Sequence, residues 1–213
     1  MLRLAAAILI TMICQSSFAQ SASLFKEIVF QGSSGYRPGE NFEYFLFKRG
    51  TLPELRGNDE ETVITEWTKR HPLAEVVPVS IFGEKSKFPI IYIWAVDGED
   101  SLNLYLVRKG IYPALAMLDN SKFGRLLQAS SNAPYFRTIE MQERAGNPTG
   151  TLSRRLISES RYTSFVQQLL AAEAEAQAES IGIWSDKFKR LRDKIGLVPL
   201  STLSLSTEQI SSE

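Results

Sequence analysis

Few side chains in this sequence are of types that carry covalent or metal chemistry. His71 is the only histidine and Cys14 the only cysteine. Zinc needs several imidazole or thiolate ligands, and a Ser-His or Cys-His nucleophile needs an imidazole held by a third group. His71 precedes Pro72, which favours an extended loop, and as a catalytic base or metal ligand it has no matching partners. Its expected role is that of a surface or capping histidine. Glu54, beside Pro53 in a turn, is a lone carboxylate of the kind that is usually solvated.

Cations are more plentiful. Residues 119–160 carry Lys122, Arg125, Arg137, Arg144, Arg154 and Arg155, with Phe123, Tyr135 and Phe136 among them. Guanidinium groups interleaved with aromatic rings suit single-stranded nucleic acid, through phosphate contacts and base stacking. The acids Asp119, Glu140, Glu143 and Glu159 in the same segment dilute that charge, so a docking or purely connecting loop is the competing expectation. A second basic run, DKFKRLRDKIG at 186–196, places Phe188, Leu191 and Ile195 on one side of a short helix and cations elsewhere. It suits phosphate or anionic headgroups, or simply a solvated face.

The whole chain does not share this basicity. Its 213 residues hold 24 Lys and Arg against 24 Asp and Glu, so net charge gives no sign of a polyanionic partner. Residues 1–19 read as a secretory signal: Arg3, an apolar run over 4–13 broken only by Thr11, and small residues around Ala19 before Gln20. A lipid anchor at Cys14 is the less favoured alternative, because bulky Ile13 stands where a small residue is needed. Cleavage before Gln20 removes Cys14 and leaves a secreted or periplasmic chain without disulfides or thiolates. No later run reaches the 18 to 20 apolar residues of a membrane span.

The elements that position these side chains change character along the chain. FEYFLF at 42–47, VVPVSIF at 76–82 and IIYIWAV at 90–96 are apolar and rich in β-branched and aromatic residues, and are expected as strands. GSSGYRPG at 32–39 is turn chemistry. EETVITEWTK at 60–69 puts Val63, Ile64 and Trp67 at helical spacing. Arg108, Lys109 and Gly110 form a helix end. Tyr162, Phe165, Leu169, Ala172 and Ala176 then recur at three and four residues on an alanine-rich helix expected to end near Gly182. Strands first and helices afterward give an α+β fold. Residues 201–213 are polar and serine-rich, and are expected to form a disordered tail.

Two of these segments share a further pattern. LNLYLVRKG at 102–110 and AAEAEAQAESIGIWSD at 171–186 resemble the two helical signatures of the staphylococcal nuclease-like (thermonuclease) family. The resemblance is specific over 92–110 and 171–186 and only permissive over 23–87. It implies a five-stranded OB-fold β-barrel with helices packed on it, spanning residues 20–186. It also implies that 119–160 is an insertion. By their own pattern, 187–200 are expected as a basic helix and linker, and Ile183 and Trp184 as core anchors.

The family's site uses calcium held by aspartates, two arginines on the phosphate and a glutamate that helps activate water. Overlaid on FLFKRGTLPE at 45–54, the first arginine falls on Leu46, or on Phe45 after a one-residue slip, and the strand's calcium aspartate on Thr51 or Gly50. The second arginine becomes Phe88, with Lys87 next to it, and the nucleotide-holding tyrosines fall near Ala116 and Leu118. Only Glu54 matches a catalytic side chain. The expectation is an exported thermonuclease-like protein that is catalytically inactive, needs no cofactor and acts as a binding or interaction module, with an unknown protein as its partner. One alternative is a calcium-dependent nuclease with a displaced site built from Glu54, Arg49 and Lys87. The other is non-catalytic nucleic-acid binding through Arg137, Arg154 and Arg155.

Overall fold

A computed structural model describes residues 24–31, 34–46, 60–84, 87, 89–118 and 154–200. After a 3-10 turn at Phe25–Glu27 come three short strands, β1 (Val29–Gln31), β2 (Ser34–Tyr36) and β3 (Glu43–Leu46). Helix α1 (Glu60–Arg70) leads to the long strands β4 (Glu75–Phe82) and β5 (Ile90–Asp97), then β6 (Asp100–Ser101) and α2 (Leu102–Arg108). Later in the chain lie β7 (Arg154–Arg155), the long helix α3 (Glu159–Ala178) and the short helix α4 (Lys189–Ile195).

The protein is therefore α+β, with seven strands and four α-helices among the described residues. Strand order is β1-β2-β3-β5-β4-β7, with β6 added to β5, and the sheet is open. All pairings are antiparallel except β3 with β5, which run parallel with Glu43 opposite Ile90 and Leu46 opposite Ile93. Parallel neighbours need a crossover, and α1 and β4 lie within it. One isolated antiparallel bridge, Leu24 to Glu75, links the segment before β1 to the start of β4. Next to it the Phe25 N–H donates to the Ala74 carbonyl at 2.7 Å.

The helices form where charge and capping favour them. α1 opens on Glu60 and Glu61 and closes on Lys69 and Arg70, each pair matching the helix dipole. It buries Trp67 fully. Ser101 caps α2 by accepting the Leu104 N–H at 3.3 Å, and Ser158 caps α3 by accepting the Arg161 N–H. α3 buries Tyr162, Phe165, Val166, Leu169, Ala172 and Ala176 as one stripe. It stops at Ala178, earlier than the expected Gly182, because Ser180 already turns left-handed at φ 53. After a 3-10 turn at Gly182–Trp184, which buries Ile183 and Trp184, α4 packs Leu191 and Ile195 against the same core, and Leu197 and Leu200 are buried in it.

Candidate functional site

Of the positions on which the resemblance would set phosphate and nucleotide contacts, Leu46, Ala116 and Leu118 are buried and Phe45 is half-buried. Leu46 is 2% exposed at the end of β3. Its neighbour Phe45 lies 6.1 Å, ring to ring, from Tyr92 on the parallel strand β5. Ala116 and Leu118 are buried. A phosphate cannot approach a side chain inside a packed apolar layer, and neither leucine nor alanine could neutralise it there. Lys87 is exposed in the turn joining β4 and β5. Arg49, Glu54 and Arg137 lie outside the described residues, as do Thr51, Phe88, residues 1–23 and residues 201–213.

Arg154 and Arg155 are engaged within the chain. β7 pairs with β4, setting Arg155 opposite Ser80 and Arg154 opposite Ile81. Arg154 grips both carboxylate oxygens of Glu84, Nε to Oε2 at 3.1 Å and Nη2 to Oε1 at 2.7 Å. That hydrogen-bonded pair raises the guanidinium pKa above its ordinary value. Arg155 bonds Glu159, the first residue of α3, and lies 4.3 Å over the Tyr162 ring. The two arginines thus sit together on an edge strand, each facing its own carboxylate.

A second region gathers polar groups that lie far apart in sequence. His71, just past α1, places Nδ1 2.9 Å from Asp97 Oδ2 and Nε2 3.5 Å from Asp100 Oδ2. Its ring stacks on Trp67 at 4.3 Å and 21°. The Trp67 indole N–H donates to the same Asp100 oxygen at 3.3 Å, and the other Asp100 oxygen accepts the Ser101 N–H at 2.8 Å. His71, expected as a surface or capping histidine, is thus a half-buried one with two carboxylate partners. His71 clamps the turn between β5 and β6 onto the end of α1, and its partners lie 26 and 29 residues away, visible only once β4 and β5 are paired. Among the described residues, no three such side chains converge as metal ligands.

The front of that clamped turn faces α3 across an open groove of about 500 Å³. Gly98, Glu99, Asp100 and Ser101 form one wall, and Arg161, Ser164 and Gln168 the other. The floor is apolar, with Trp94, Val96, Leu104 and Phe165. Trp94 stacks on Phe165 at 3.8 Å between centroids, and its buried indole N–H has no hydrogen-bond partner. A concave site with an apolar floor and a few polar groups on its walls is the usual form of a small-molecule site. The signal for it was present in α3, where Arg161, Ser164 and Gln168 recur at three and four residues beside the apolar stripe. Only the apolar stripe was expected to matter. Comparison with known proteins finds no family model, no curated protein and no solved structure that matches this chain.

Proposed function

We propose that the chain is an exported staphylococcal nuclease-like OB-fold protein whose nuclease site has been lost and which acts as a binding or interaction module. The observation that carries this reading is Leu46. In the overlay the first phosphate-contacting arginine falls on Leu46, on the interior side of β3 at 2% exposure, where a charge would be costly to bury, or after a one-residue slip on Phe45, against Tyr92. Ala116 and Leu118, also buried, extend the same conclusion to nucleotide contact. The OB-fold part of the proposal draws on the parallel β3–β5 pair and on the Leu24–Glu75 bridge, which spans the side where a barrel would close. Export rests on the leader-like residues 1–19.

A ligand that binds only the folded state raises the unfolding temperature. Thermal unfolding of the purified protein with millimolar calcium and with chelator is expected to give the same midpoint. A rise of several degrees with calcium would favour the other reading, a metal-dependent nuclease with a displaced site at Glu54, Arg49 and Lys87.

A further inference from the structure

The groove between the β5–β6 turn and α3 carries opposite charges on its two walls. Glu99 and Arg161 are both exposed, both line the groove, and neither forms an ion pair among the described residues. Asp100 on the acidic wall is already held by Trp67, His71 and the Ser101 N–H. It therefore fixes the turn and adds negative potential behind Glu99. Arg161 stands in the first turn of the 20-residue helix α3, whose positive dipole end adds to its pull on a carboxylate. The hydroxyl of Ser164 and the amide of Gln168 make no hydrogen bond in the described chain, and they flank an apolar aromatic floor.

Each feature excludes some ligands. A polyanion such as a nucleic acid would meet Glu99 and Asp100 on one wall, and a polyamine would meet Arg161 on the other. A molecule with one ammonium, one carboxylate, an amide between them and an apolar side chain satisfies every wall. We propose that this groove binds short peptides with free termini, the amino end at Glu99, the carboxylate at Arg161, the amide along Ser164 and Gln168, and an apolar side chain over Phe165 and Trp94. This gives the binding role proposed above a ligand class. Phosphodiester cleavage by the same protein tests that role separately, so the two can fail independently.

The test is titration calorimetry of the purified protein with alanyl-phenylalanine, alongside its N-acetylated and C-amidated forms. The free dipeptide is expected to bind with a dissociation constant on the order of 0.1–1 mM. Blocking either end is expected to weaken it about tenfold, as for loss of a hydrogen-bonded charge. Arg161→Gln should make binding indifferent to amidation, and Glu99→Gln should make it indifferent to acetylation. Both side chains are exposed, so the variants keep the fold, which circular dichroism verifies. No binding by the folded protein would overturn the proposal. Equal affinity for free and blocked dipeptides, or binding unchanged in both variants, would also overturn it.

Discussion

Arg37 lies between two carboxylates, its Nη2 2.9 Å from Glu27 and its Nη1 2.9 Å from Glu40. Burial opposes its charge, but the hydrogen bonds to Glu27 and Glu40 outweigh that and hold its pKa above the ordinary value. Glu40 also accepts a hydrogen bond from the Tyr44 hydroxyl. Burial first, and then this bond, raise the Tyr44 pKa from its ordinary 10.0. A raised value means that the folded chain keeps the phenol proton where the unfolded chain has lost it. The resulting stabilisation is complete below about pH 10 and is lost as pH rises beyond it. Tyr44→Phe is therefore expected to cost about 1–2 kcal/mol near neutral pH and to flatten the loss of stability between about pH 9 and pH 11. Urea unfolding of both proteins across that range checks this, and parallel curves would refute it. None of this was legible in sequence, because the β3 spacing shows that Tyr44 is apolar and strand-like but not which acid folds back onto it.

At the scale of elements, α2 and the end of α3 cross at two glycines. Gly110 has φ 62 and Gly182 φ 55, and the Ile183 N–H donates to the Gly110 carbonyl at 2.7 Å. A Cβ on Gly110 would sit 2.5 Å from the Ile181 carbonyl oxygen. Substitution there meets both a disfavoured backbone region and a backbone clash that no rotamer relieves. Gly110→Ala is expected to destabilise by about 2–4 kcal/mol, measured by denaturant unfolding, whereas a loss below about 0.5 kcal/mol would show that the crossing is loose. Sequence identified Gly110 as a helix stop from local chemistry. That another backbone lies against it is a tertiary fact with no local signal. Elements with strong local signals came through closely: α1 was expected over 60–69 and runs Glu60–Arg70, and β5 was expected over 90–96 and runs Ile90–Asp97. The β7 strand was not expected. It is two residues long and exists only because β4 offers it an edge.

At the scale of the whole molecule, one buried acid joins regions from three parts of the chain. Glu173 of α3 is fully buried. Its Oε1 accepts the Ala114 N–H at 2.9 Å and its Oε2 the Leu200 N–H at 2.6 Å. Glu173→Ala strands two buried donors and is expected to cost about 2–5 kcal/mol, with faster amide exchange at Leu200 as the local sign. Unchanged exchange there would mean that the segment around Leu200 is held by burial of Leu197 and Leu200 alone. The periodicity of α3 put Glu173 next to its apolar stripe, but only the packed fold gives it donors. The groove is hidden from sequence for a similar reason: its walls come from 98–101 and 161–168, some sixty residues apart, and meet only when α3 packs over β5. By contrast, the apolar character of Leu46 was readable directly, since it stands in an apolar strand whatever surrounds it.

The proposed catalytic silence is tested most directly by cleavage. Single-stranded DNA and RNA are incubated with the purified protein, verified as folded, in calcium and in chelator, with Glu54→Ala alongside to expose any contaminating nuclease. Burial of Leu46, Ala116 and Leu118 predicts no cleavage above buffer in either condition. Chelator-sensitive cleavage that disappears in Glu54→Ala would contradict it and place a working site on this chain.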